Sequence, residues 1–399
     1  MFRFKNLKFF FVFCGLIFFL TSFAISIQNT NKKVLFVGID GVGYSILQKA
    51  LCISSLQNNF PKWIYNEAAN WYGFGGLENW VHQCGSNLSS HYQRINDLNI
   101  FPTFQAGYPG TKTRATTLSA PGWTTNLTGT WINKHGISDN FTKNQSKTSS
   151  FLSFIHQNYP NSNISIYYNW EFLFQTIFKN EVSQFSDIKY FNEKNDWDER
   201  ISDLEITYKT MENLKYNKDV DVMFTYLTDA DEWSHLHFDS TTDNFISVVR
   251  ESLDNIENIL GALEERKHKF PDENWLVILT TDHGRGFAGY HGDGTLNEKL
   301  TFIGVNQPVD EEYIQGQEKN RAKIYNDLHT LDGYNFENYL YHYEDTTHVS
   351  FPIGGLFSYA SQVDIAPTIL NFLDIETDQA GFVFDGRSFL KLRIKNRSR

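Results

Sequence analysis

Cysteine is scarce in this chain, with three in 399 residues, so the fold cannot rest on a dense disulfide framework. An excess of positive charge is also missing. Asp and Glu number 46 against 35 Lys and Arg, a net charge of −11, and duplex nucleic acid, which is bound through clustered Lys and Arg, is not an expected partner. The short basic stretch at 391–399 reads as a solvated tail. There is no internal repeat and no low-complexity linker. After the first 27 residues no apolar run is long enough to cross a bilayer.

What is present is apolar and aromatic. Hydrophobic residues make up 41%, charged residues 20% and aromatics 16%, with 35 Phe, enough to build a sizeable aromatic core. The length fits one large α/β domain with excursions as well as two ordinary domains. At the N-terminus Arg3, Lys5 and Lys8 precede an apolar run over 9–20, then the small residues Ser22, Ala24 and Ser26. That order is a secretory signal, expected over 1–26 with cleavage after Ala24 or Ser26, leaving no stable membrane span. An uncleaved membrane anchor is the alternative, since apolar character persists to Ile27. Export would place Cys52 and Cys84 in an oxidising compartment, where they can pair.

Three short segments read as buried parallel strands that end in acidic residues. Residues 33–39 (KVLFVGI) run into Asp40, residues 219–227 (DVDVMFTYL) into Asp229 and Asp231, and residues 275–280 (WLVILT) into Asp282 and His283. Open α/β sheets bind ligands at this C-terminal edge. Residues 242–265 and 362–373 carry apolar positions at helical spacing. The expected fold is a doubly wound, mostly parallel α/β sheet with helices on both faces. The segments 52–112 and 307–351 are read as excursions from that framework, either walls of a substrate pocket or surface decoration.

In 117–140 (TLSAPGWTTNLTGTWINKHGISDN), Pro121 suits the first turn of a helix, which puts Ser119 just ahead of it. Ser119 is then either an ordinary N-cap or a nucleophile at a helix N-terminus, where anions are stabilised. Asp231 and His235, four apart on a helical turn, can share a cation. Asp282 and His283 are adjacent at a strand end, and His291 follows in a glycine-rich stretch. Such mixed oxygen and nitrogen donors suit zinc.

Together these segments resemble the type I phosphodiesterase and nucleotide pyrophosphatase branch of the alkaline phosphatase superfamily. The matching pieces are GIDG (38–41), LSAPGW (118–123), LTG (127–129), HGISDN (135–140), DADEWSH (229–235), TTDHG (280–284) and HGDG (291–294), followed by DIAPTIL (364–370) and DGRSF (385–389). They run in order from about 33 to 390. The resemblance implies a single catalytic domain over 27–399 and two divalent metal ions, zinc expected. Asp231, His235 and His291 would hold one metal. Asp40, Asp282, His283 and the Ser119 oxygen would hold the other. It implies a phosphoseryl intermediate on Ser119, with Asn140 donating to a phosphate oxygen, and a small-molecule phosphate ester as substrate, a diester before a monoester. A phosphomonoesterase, a sulfatase-like hydrolase and a non-catalytic binding protein of the same fold are the alternatives. Leu118 and Gly122-Trp123 depart from the branch and put nucleotide specificity in doubt. Trp123 also occupies the place of the Arg that formylglycine formation requires. The nearest cations in sequence are Lys112, Arg114, Lys134 and Arg285. As surface residues they would clamp no phosphate, although Arg285, two residues past His283, can reach inward.

Overall fold

The computed structural model describes residues 31–52, 91–105, 107, 113–141, 144–191, 201–240, 242–286, 289–314, 360–377 and 384–391. The expected N-terminal signal, Cys84, Lys112 and most of both expected excursions lie outside them. Seven strands form one sheet: β1 (Lys32–Ile39), β2 (Asn99–Phe104), β3 (Ile164–Tyr168), β4 (Asp187–Tyr190), β5 (Val222–Leu227), β6 (Asn274–Thr280) and β7 (Leu300–Val305). Their order is β2-β7-β6-β1-β5-β3-β4. Only the β6–β7 and β7–β2 pairs are antiparallel, so β7 alone runs against the rest. The sheet is mixed and mostly parallel, in an α/β fold with helices on both faces.

Alternate side chains of β1 feed two cores, as a strand of period two requires. Leu35, Val37 and Ile39 enter one and Val34 and Phe36 the other, all 0–1% exposed. The first core is roofed by α1 (Tyr44–Leu51), α4 (Ile201–Tyr216) and α6 (Asp243–Lys269), with α5 (Asp229–His237) packed on α6. The second lies under α2 (Ser119–Thr128), α3 (Phe151–Asn158) and α7 (Ile365–Phe372). Helix α6 runs 27 residues because Phe245, Val249, Leu253, Ile256, Leu260 and Leu263 recur at helical spacing along its buried face. Each such side chain removed from water contributes about 1.5–3 kcal/mol.

The structure departs from the sequence expectation at the sheet edge. Residues 52–112 were expected to lie outside the framework, yet Asn99–Phe104 within them forms the edge strand β2. Pro102 is tolerated there because an edge strand can lose one ladder donor. Cys52 is disulfide-bonded. Among the described residues no helix is long and apolar enough to cross a membrane.

Candidate active site

The three central strands, β5, β1 and β6, are neighbours, and each delivers acidic residues to the same edge. Asp40 follows β1 directly. Asp231 lies in the first turn of α5, which starts two residues after β5, and His235 is one turn further on. Asp282 and His283 come two and three residues after β6. The chain turns away from Asp40 through Gly41 at φ +68°, where a Cβ would sit 2.5 Å from Asp231 Oδ1 and 2.8 Å from Arg285 Nη2. Only glycine fits that turn and that space.

Two groups of three result. Asp231, His235 and His291 converge, as do Asp40, Asp282 and His283. Either group can hold a metal ion. In the first, His235 Nε2 lies 2.9 Å from His291 Nε2 and 3.3 Å from Asp231 Oδ2. In the second, His283 Nε2 lies 3.3 Å from Asp282 Oδ2 and 3.5 Å from Asp40 Oδ1. The His283 and His291 rings stack at 3.8 Å and join the groups. The second group is sealed from solvent; the first opens through His235, whose side chain is 45% exposed.

The outward atoms of these side chains are occupied by protein. His283 Nδ1–H donates to the Gly284 carbonyl at 2.9 Å and His291 Nδ1–H to the Thr117 carbonyl at 2.8 Å, so both rings turn an Nε2 lone pair inward. The loop after His291 is tied to the same Thr117, because Glu298 Oε2 accepts from Thr117 Oγ1 and from the Gly292 and Gly294 N–H groups. Asp282 Oδ1 accepts from the Gly41 N–H at 3.1 Å. Asp40 Oδ2 accepts from Trp123 Nε1 at 3.0 Å and from the Tyr226 hydroxyl. Asp40 Oδ1 and Asp282 Oδ2 are buried and have no hydrogen-bond partner among the described residues.

A buried carboxylate oxygen without a donor is costly unless a cation compensates it. Burial first, then the neighbouring Asp40 carboxylate, push the Asp282 carboxyl well above the usual range. Burial, then the Asp40 charge, likewise keep the Tyr226 hydroxyl protonated as a donor. The donor set of two inward oxygens and an imidazole nitrogen fits a divalent metal.

Ser119 is not the helix cap. It is the first residue of α2, whose N-cap is Leu118 with no side-chain capping bond. Its hydroxyl instead donates to His283 Nε2 at 3.2 Å, beside the second group. Asn140 Oδ1 accepts from the Ala120 N–H at 2.8 Å, which fixes the amide against the start of α2 and leaves Nδ2 as a donor. His135, lowered by burial to about 3, holds that loop as a neutral ring. It donates through Nε2 to Thr125 Oγ1 at 3.2 Å and accepts through Nδ1 from the Ile137 N–H at 3.0 Å.

Three further expectations change. Arg285 is not on the surface: it is wholly buried, held by the Asp231 carboxylate and by the carbonyls of Asp231 and Gly289. It is committed to orienting Asp231. Lys134 pairs with Asp385. Gly122 and Trp123, read from the sequence as bearing on specificity, lie inside the protein. A Cβ on Gly122 would meet the Asp282 carbonyl at 2.8 Å, and Trp123 is 0% exposed. Trp123 and Tyr226 both donate to Asp40, a contact that the sequence reading assigned to neither.

No protein-family model matches the sequence. Among solved structures the chain is similar to a 2-O GAG sulfatase, at 8% identity over 86% of this chain and 71% of that one, with a TM-score of 0.47. It is similar to the lipoteichoic acid synthase LtaP of Listeria monocytogenes, at 12% identity, 90% and 75% coverage and a TM-score of 0.43. It is also similar to murine ectonucleotide pyrophosphatase/phosphodiesterase 5, at 14% identity and a TM-score of 0.36. There the match covers 63% of this chain and 57% of the murine one, little more than half its length. These likenesses lie in the course of the chain.

Proposed function

We propose that this chain is a hydrolase of the alkaline phosphatase superfamily that cleaves phosphate esters, diesters in preference to monoesters, with Ser119 as nucleophile. The observation that carries the reading is the Ser119 hydroxyl, free of any capping role and 3.2 Å from His283 Nε2, beside one of two convergent ligand groups. Asp231, His235 and His291 would hold one divalent cation, and Asp40, Asp282, His283 and Ser119 the other, zinc being the expected metal. Bound there, the cations supply Lewis acidity toward the nucleophilic, nonbridging and leaving oxygens.

The chain's own residues do the rest. Ser119 Oγ forms a bond to phosphorus as the bond to the leaving oxygen breaks, giving a phosphoseryl group. Water then cleaves the phosphorus–Oγ bond. Asn140 Nδ2, its Oδ1 being held by the Ala120 N–H, faces the charge that develops on the nonbridging oxygens. The site opens at His235, which gives the ester its approach. The disulfide at Cys52 supports an exported protein.

The diester preference rests on charge. A monoester dianion benefits from one more cation, and the nearby Arg285 is already committed to Asp231. A substrate panel of chromogenic diester, monoester, nucleotide and sulfate ester on zinc-loaded protein tests this. The diester is expected to give the highest kcat/KM, and Arg285→Ala should lower diester and monoester turnover by the same factor. A monoester preference that vanishes in Arg285→Ala would overturn the assignment. Elemental analysis is expected to find close to two transition metals per chain, removable by chelation; calcium alone, with sulfate ester turnover, would favour the sulfatase-like alternative.

A further inference from the structure

Asp40 presents its two oxygens to different surroundings. Oδ2 accepts from Trp123 Nε1 at 3.0 Å and from the Tyr226 hydroxyl, while Oδ1 has no hydrogen-bond partner and lies 3.5 Å from His283 Nε2. Trp123 stands on α2 four residues past Ser119, and Tyr226 on β5 beside β1. Their rings meet edge to face at 5.0 Å and 82°. Both are buried, at 0% and 1% exposure. Gly38, two residues before Asp40, lets the indole lie over β1: a Cβ there would be 2.3 Å from Trp123 Cη2.

An unrestrained carboxylate turns easily about its last torsion, which is broad and roughly two-fold. Two donors on one oxygen remove that freedom and select which oxygen faces inward. Neither donor can satisfy Oδ1 in this geometry, because the single indole N–H and the Tyr226 hydroxyl proton are both spent on Oδ2. We propose that Trp123 and Tyr226 are positioning residues that clamp Asp40 with Oδ1 turned to the metal position it shares with Asp282 and His283, and that Gly38 is glycine to admit the clamp. The inference rests on the metal-dependent reading given above.

The test is zinc titration of the full chain after chelation, by calorimetry with a competing chelator, on wild type, Trp123→Phe and Tyr226→Phe. Wild type should show two classes of site. In each variant one class should weaken by about 10- to 100-fold, the usual cost of losing a hydrogen bond behind a ligand, while the other stays within about threefold. Tyr226→Phe deletes a single oxygen atom and carries the test if Trp123→Phe does not fold. Gly38→Ala, which crowds the indole without removing a donor, should weaken the same class. A purely packing role predicts a lower melting temperature of the metal-free protein with both zinc affinities unchanged. Unchanged affinities in folded Trp123→Phe and Tyr226→Phe would overturn the clamp and leave the hydrolase reading standing. Absence of zinc binding by wild type would overturn both.

Discussion

Ser119→Ala is expected to lower kcat/KM for a chromogenic phosphodiester by at least ~10³-fold, the scale of losing a covalent nucleophile. The protein should meanwhile keep its melting temperature. Stability is spared because the hydroxyl caps nothing: α2 begins at Ser119 after Leu118, and among the described residues Oγ bonds His283 Nε2 alone. Losing that bond costs about 1 kcal/mol or less. Ser119→Thr should retain part of the activity, since its hydroxyl can occupy the same place. Near wild-type turnover by the alanine variant on every ester tested would remove Ser119 from the chemistry.

Asp282→Asn should separate function from stability. The side chain is 0% exposed, with Oδ1 on the Gly41 N–H and Oδ2 without a partner. Asparagine keeps the shape and the first bond but removes the charge. Activity should fall by at least ~10³-fold, equivalent to about 4 kcal/mol of barrier, with one metal ion fewer retained. In chelator, the variant should be more stable than wild type by about 1–3 kcal/mol, because burial beside Asp40 then forces the wild-type carboxyl either to take up a proton or to stay charged without a cation, and both cost stability. In zinc the order should reverse, as ligand binding stabilises wild type more. Thermal melts in chelator and in zinc decide this. A variant that melts below wild type in chelator would mean that something other than a cation satisfies Asp282.

The strands that lead to the candidate ligands were legible because each is a mostly apolar run with Asp close behind it. Strands β2, β3, β4 and β7 were not. The run NIFPTF of β2 contains proline and sits among polar and aromatic residues, and the exposed β4 (DIKY) has no apolar run at all. Asp231, His235, Asp282, His283 and His291 could be picked out because their types and spacings are unusual together. Ser119 was placed one residue out, just ahead of the helix, whereas α2 begins with it; Pro121 stands third, in the first turn as expected. Trp123, Tyr226 and Arg285 could not be assigned. What they do depends on Asp40 and Asp231, which lie 83, 186 and 54 positions away, and no local pattern records such a contact.

The same long separations bear on how the protein is made. Strand β1 lies at the middle of the sheet and pairs with β5 and β6, both synthesised far later. The Gly41 N–H meets its Asp282 acceptor 241 positions on. Loops of that length close slowly relative to local helices, so α6 can form long before the acidic edge exists. Until β6 is in place, Asp40 has neither Asp282 nor His283 as a neighbour. If this edge holds a cation as proposed, its uptake would be a terminal event in maturation, and in a refolding experiment zinc should be captured after helix formation and in step with completion of the sheet.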